Sequence, residues 1–172
     1  MEGEKPQFEK KVMVAIDERD CSYHALIWTL KHLKESITKS PFVIFAAQPL
    51  PNSKYHIFAA QLGFARMYCL ESATPDWIDF VKEQNRKVSL GLLEKAKGIC
   101  TSHGVKVETV TEVGDPKEAI CNAVENYKIN LLVVGDQADG ILQRVFQESL
   151  SSYCLKNAKC PVLVVNKNDV QQ

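Results

Sequence analysis

Residues 131–149, LLVVGDQADGILQRVFQES, hold a buried-strand pattern that ends in Gly135 and passes through a polar turn into an amphipathic segment. The run Leu131, Leu132, Val133 and Val134 reads as a parallel strand covered on both faces, because an exposed face would alternate with polar residues. A strand of that kind cannot stand alone. It demands parallel neighbours and crossover helices, and it leaves a helix N-terminus near its carboxyl end, where α/β proteins receive anionic ligands. In this chain the turn carries acids: Asp136, Asp139 and, further along, Glu148. Lys is absent from 129–155, and Arg144 is the only cation there. The pattern draws a phosphate site and lines it with carboxylates.

The rest of the chain supplies the neighbours. Residues 11–16 (KVMVAI) form a short apolar run that ends at Asp17, as a central strand does on meeting a polar loop. Asp20 or Ser22 can then cap a helix over about 23–34, in which Leu26, Leu30, Leu33 and Ile37 recur at helical spacing and Ile27 and Trp28 widen the stripe. Residues 42–47 (FVIFAA) are the second strand, closed by Gln48-Pro49-Leu50-Pro51. An irregular aromatic segment follows over 52–80. A long helix fits 75–103, with Gly104 as its stop. The third strand, 105–113, alternates through Val105, Val107, Thr109 and Thr111, which places it in a more exposed position. Gly114-Asp115-Pro116 turns into a helix near 117–127, with Pro in the first turn where no N–H is needed. Then come the strand 131–134, a helix over 140–157, and a last strand 162–165 after Cys160-Pro161.

This order predicts an α/β fold: one Rossmann-like domain over 11–167, built on a five-stranded, mostly parallel sheet with helices on both faces. Residues 1–10 and 168–172 are expected to be tails, the first of them flexible. The final strand is an apolar sheet edge, and such an edge must be covered or paired. Pairing residues 162–165 with the same strand of a second copy would give a two-fold homodimer.

Composition narrows the function. With 172 residues and 45% apolar composition the chain can bury one sizeable core. Its 21 basic and 21 acidic side chains cancel, so there is no electrostatic case for nucleic-acid or anionic-membrane binding. The charged N-terminus lacks an apolar leader and no stretch approaches the ~20 apolar residues of a membrane span, so the protein is expected in the cytoplasm. Six cysteines, Cys21, Cys69, Cys100, Cys121, Cys154 and Cys160, form no C-x-x-C pair and read as reduced core residues. His24, His32, His56 and His103 have no metal-ligand spacing, so no metal is expected. No nucleophile stands in a recognisable catalytic context.

Three segments together carry a resemblance: VMVAID at 12–17, VGDPKEAI at 113–120, and VVGDQADGILQRVFQESLSSYCLKNAKCPVLVV at 133–165. They resemble the universal stress protein family, especially its short plant members, along nearly the whole chain. That likeness implies a fold of the adenine nucleotide alpha hydrolase type and a role in stress responses. The family's phosphate signature is Gly-x-x-Gly, nine residues, then Gly-Ser/Thr. Laid on this chain without a gap, it puts Gly135 at the first glycine, Ala138 at the second, Glu148 at the third and Ser149 at the hydroxyl. Two of the three glycines are missing. In nucleotide-binding members the acid ending the first strand holds the ribose, and Asp17 matches it. The end of the second strand, usually a His-Val pair whose valine backbone meets adenine, is Ala46-Ala47 here.

The departures have weights. Ala138 costs about 1 kcal/mol if its backbone needs φ > 0. Glu148 beside a triphosphate costs on the order of 1–4 kcal/mol per charge pair at surface-like dielectric. The resemblance therefore implies a degenerate adenine-nucleotide site formed by Asp17, Ala47, Gly114, Gly135, Ala138, Gly140, Glu148 and Ser149. ATP is expected to bind weakly or not at all unless Mg²⁺ bridges acid and phosphate, which makes ATP with Mg²⁺ the less favoured ligand, while AMP or adenosine suffers less repulsion. No catalysis is expected. A rival reading reuses the pocket as an enzyme or carrier for a small aromatic or cationic metabolite. Asp17, His56 and Tyr55 are then the working residues, and Ala46 and Ala47 widen the cavity. A third reading makes the fold a protein-interaction scaffold. Each residue also has a plainer use: Asp17 as a loop acid, Gly135 and Gly140 as turn glycines, Ser149 as helix surface.

Overall fold

The computed structural model describes residues 10–51, 73–136 and 149–166. Within them the elements run β1 (Val12–Ala15), α1 (Asp20–His32), α2 (Lys34–Lys39), β2 (Phe42–Gln48), α3 (Pro75–Ser102), β3 (Glu108–Val113), α4 (Pro116–Asn126), β4 (Leu131–Asp136), α5 (Leu150–Asn157) and β5 (Val162–Asn166). The strands form one sheet in the order β3-β2-β1-β4-β5. Every pairing is parallel, with Val12 opposite both Phe42 and Leu131, Val43 opposite Glu108, and Leu132 opposite Val162.

The period-two alternation of the strands sorts the core into two halves. Val12, Val14, Ile16, Phe42, Ile44, Ala46, Val133 and Val165 pack with Leu26 and Leu30 of α1 and Leu92, Leu93 and Ala96 of α3. Met13, Ala15, Val43, Phe45, Ala47, Leu132 and Val134 pack with Ala119, Ile120 and Val124 of α4 and Cys154 of α5. The expected α/β sheet with helices on both faces is present, and its two edges are the strands that read as more exposed. Residues Glu108 and Thr109 of β3 are exposed, and Val162, Leu163 and Val164 of β5 are only half-buried.

Local chemistry sets the element ends. Thr74 caps α3 by accepting from the Trp77 N–H, and Pro75 takes the first helical position. At the far end Gly104, at φ 72°, closes the helix: its N–H reaches the Thr101 carbonyl at 2.9 Å and the Val105 N–H reaches that of Cys100 at 3.0 Å. That turn consumes Val105 to Val107, so β3 begins at Glu108, later than the alternation implied. The single helix expected to carry Leu26 through Ile37 is two helices. Leu33, at φ −111°, ends α1 and starts α2, accepting from Ser36 and Ile37 N–H groups, both at 3.0 Å. No Gly or Pro marks this break. Thr29, buried in α1, spends its hydroxyl on the Ala25 carbonyl at 2.8 Å, a back-bond that bends helices.

Gly135 is not a turn glycine. It lies inside β4, and a Cβ there would overlap the Cys21 carbonyl and crowd the Ser22 N–H at 2.8 Å. The first turn of α1 rests directly on the strand backbone. Gly135→Ala is expected to lower the unfolding free energy in urea by at least about 2 kcal/mol, because helix or strand must move. Gly98→Ala, where an added Cβ meets nothing within 4 Å on exposed α3, is the control and should be neutral or stabilise by up to about 1 kcal/mol.

The core thiols match their expected burial. Cys21, Cys100, Cys121 and Cys154 are buried and free, and Cys160 is partly buried; Cys69 lies outside the described residues. Burial pushes the Cys154 thiol from an ordinary 9.0 up to about 12, with neighbouring Cys121 adding to the rise. Below pH 9 this thiol is neutral in folded and unfolded chains alike, so its contribution is fully present. Between about 9 and about 12 only the unfolded chain ionises, and stability is lost as pH rises. Urea unfolding should therefore show a smaller alkaline loss for Cys154→Ala than for the wild type; equal slopes would remove Cys154 as the cause.

Candidate functional site

In this strand order the chain leaves β1 toward β2 and β3 on one side, then crosses to β4 and β5 on the other. The crevice between the carboxyl ends of β1 and β4 is the topological switch point, where open α/β sheets take ligands. Asp17 follows β1, and Gly135 and Asp136 end β4.

The loop after β1 is tightly made. Asp17 Oδ1 accepts the Arg19 backbone N–H at 2.9 Å, and Oδ2 accepts Arg19 Nε at 2.7 Å. Nη2 lies 2.6 Å from the same Oδ2, with both side chains about a quarter exposed. Asp17 in turn pushes the guanidinium pKa above its ordinary value. The Asp17 N–H donates to Ser22 Oγ at 3.1 Å, whose own hydroxyl lies 2.9 Å from the carbonyls of Asp17 and Arg19. Neither Asp20 nor Ser22 caps α1 as expected. The cap position is Arg19, with no side-chain cap bond, and Ser22 ties down the loop instead. Cys21, next along, has its thiol pushed up to about 11 by burial; Arg19 opposes this, and Asp17 and Asp136 add to it. Arg19, Asp17 and Asp136 thus converge on Cys21 in the first turn of α1, which also carries Asp20.

Ala47 is the penultimate residue of β2, and its carbonyl accepts from Ser89 Oγ of α3 at 3.2 Å. The Ala46 carbonyl accepts from Thr111 Oγ1 at 2.7 Å. Both alanines are buried, but in opposite halves of the core. The bulk they lack is therefore divided between two faces and does not pool in one enlarged pocket. Gly114, at φ 153°, donates its N–H to the Gln48 carbonyl at 3.0 Å, and Asp115 caps α4 by accepting from Lys117 N–H at 2.9 Å. Ser149 is a helix cap as well. It was expected inside a helix over 140–157, yet its extended backbone precedes Leu150, and its Oγ accepts from the Ser152 N–H at 3.1 Å. Its short hydroxyl pairs with Ser151 and Ser152, both at 2.9 Å, complete the cluster.

Of the expected site, Asp17, Ala47, Gly114, Gly135 and Ser149 are described; Ala138, Gly140, Glu148, Tyr55 and His56 lie outside the described residues, as does Arg144. A concavity beside Asp17 runs between α1 and α3, bounded by Ile16, Tyr23, Leu26, Leu92 and Ile99. Its cavity volume is about 10 Å³, room for a single water and far below the ~300 Å³ at which small-molecule pockets begin. It is an apolar annex to the crevice. Among the described residues no three His, Cys, Asp or Glu side chains converge to hold a metal, and no helix is long and apolar enough to cross a membrane.

A single-domain parallel α/β protein with an acid-ended central strand at its switch point is the class this geometry defines. The model of the universal stress protein family matches residues 9–166, so the chain belongs to that family. A universal stress protein A-like protein of Arabidopsis thaliana is 35% identical over 96 residues, which are 56% of this chain and 55% of that one. The chain spans about half the length of the curated relatives it matches at 28–35% identity. A universal stress protein of Synechocystis is 25% identical across 90% of this chain and 96% of its own. Among solved structures, an Arabidopsis thaliana family member with AMP bound superposes with a TM-score of 0.64, 25% identity and 92% coverage of each chain. A universal stress protein in complex with cAMP shares the fold, with a TM-score of 0.61, 20% identity, and coverage of 91% and 96%.

Proposed function

We propose that this protein is a cytoplasmic stress-response binding or signalling module that takes an adenine ligand of low charge, AMP or adenosine, at the β1–β4 crevice, and disfavours ATP. The observation that carries this reading is the AMP held by the Arabidopsis relative, whose fold matches 92% of the chain. Asp17 would face the ribose, the Ala47 backbone the base, and Gly114, Gly135 and Ser149 the phosphate side. Ser149 suits this, because a capping hydroxyl at the start of α5 sits where N–H donors favour an anion. Asp136 in the described crevice, with Asp139 and Glu148 in the sequence that follows, sets the limit on ligand charge. No turnover is assigned to it.

Calorimetric titration is expected to give AMP binding and at least about tenfold weaker ATP binding, the size of one repulsive charge pair. The double variant Glu148→Gly, Ala138→Gly should close that gap by tightening ATP. Tightest binding of ATP by the wild type would refute the charge argument. Binding of no adenine compound would refute the nucleotide reading and favour an aromatic or cationic metabolite.

The module is further proposed to work as a homodimer through β5, whose half-buried Val162, Leu163 and Val164 border the sheet edge. Sedimentation should give a dimer at micromolar concentration and a shift to monomer in Val162→Lys, an edge-blocking charge; a monomeric wild type would overturn this.

A further inference from the structure

Arg19 is the only basic residue in the two segments that meet at the crevice, 16–22 and 130–136, where Asp17, Glu18, Asp20 and Asp136 are acidic. Its backbone and guanidinium engage both oxygens of Asp17, at 2.9 Å on Oδ1 and 2.7 and 2.6 Å on Oδ2. Asp17 is also the carboxylate that the nucleotide reading assigns to the ribose. A carboxylate has lone pairs for several donors, but a half-buried guanidinium fork on Oδ2 fills the side a sugar diol would use. A ligand hydroxyl must therefore compete with a charge-assisted contact already made within the loop.

We propose that Arg19 is the specificity-determining residue of this site: it holds Asp17 in the free protein and is released to the ligand's phosphate, so the site selects a nucleoside monophosphate over the nucleoside. This inference rests on the nucleotide reading above and deepens it. The thermodynamics are those of exchange. Adenosine, taking the Asp17 carboxylate, leaves a partly desolvated guanidinium without its partner, which is costly. AMP offers that guanidinium a phosphate, for which the planar fork is well matched, and the lost pair is replaced by a new one. Arg19 also supplies the one positive charge of segments 16–22 and 130–136 against Asp136, so it offsets the repulsion that the acids impose. Arg19 makes no side-chain cap bond at the start of α1, and its guanidinium is held by Asp17, so releasing it disturbs no helix cap.

The test is titration of wild type, Arg19→Gln and Arg19→Lys with AMP and with adenosine at low and high salt, after thermal melts show that each variant is folded. The wild type should bind AMP at least about tenfold more tightly than adenosine, the size of one charge-assisted contact. In Arg19→Gln that ratio should fall to within about threefold, with adenosine binding more tightly than in the wild type, because Asp17 is uncovered. Arg19→Lys should lie between, keeping the charge without the fork. Added salt should weaken AMP binding in the wild type and much less in Arg19→Gln. An unchanged AMP-to-adenosine ratio in Arg19→Gln, or a wild type that binds adenosine as tightly as AMP, overturns the role of Arg19 while leaving the nucleotide site standing. A wild type that binds neither compound overturns the nucleotide reading itself, and with it this one. Loss of both ligands in equal proportion from a folded Arg19→Gln marks a merely structural loop contact and also overturns the proposal.

Discussion

The seating of α1 on β4 governs this molecule. The Cys21 carbonyl lies so close to Gly135 that no side chain fits between them, and this contact fixes where α1 starts over the sheet. From that start follow the position of the Asp17–Arg19 loop, the burial of Cys21, and the placement of Leu26 and Leu30 in the core shared with α3. Backbone lies against backbone here, so side-chain repacking cannot relieve an intrusion in the way it does in an ordinary core. Stability and ligand geometry are set by the same few atoms.

Much of the fold was legible because parallel strands buried on both faces announce themselves. The runs at 11–16, 42–47 and 131–134 have no polar alternation, whereas the 105–113 and 162–165 runs are respectively alternating and led by proline. These are the three central and the two edge strands. Pro75 and Gly104 marked α3 at both ends, whereas the cap that Thr74 supplies was not read. The break at Leu33 carried no such mark. A buried threonine hydroxyl turned back on its own helix lies one turn before it, and whether a threonine faces inward is decided by packing that the local sequence does not contain.

For the site the division is similar. Asp17, Gly114 and Gly135 stood out by their position at strand ends, but their partners did not. Counting cations along 129–155 found Arg144 and passed over Arg19, because the crevice is lined by two segments more than a hundred residues apart. Ser89, which meets the Ala47 carbonyl from α3, was equally invisible, being one polar residue on an otherwise ordinary amphipathic helix. Ser149 read as helix surface because it stands in a cluster with Ser151 and Ser152; its extended backbone is what makes it a cap. Residue types pointed to the chemistry of the crevice, and tertiary structure decided which charges neutralise one another.

The strand order has a bearing on how the chain reaches this state. β1 is the centre of the sheet and is synthesised more than a hundred residues before β4, yet β4 is one of its two flanking strands, held also by the Lys11 N–H on Asn130 Oδ1 across 119 positions. Until β4 leaves the ribosome, β1 can pair only with β2, and one side of its backbone has no sheet partner. Loop closure over so long a span comes before any reward from burial, which makes folding slow relative to a helical protein of this length. The nascent chain thus carries an unpaired, apolar strand edge throughout the interval between β1 and β4, the condition under which chaperone capture competes with folding.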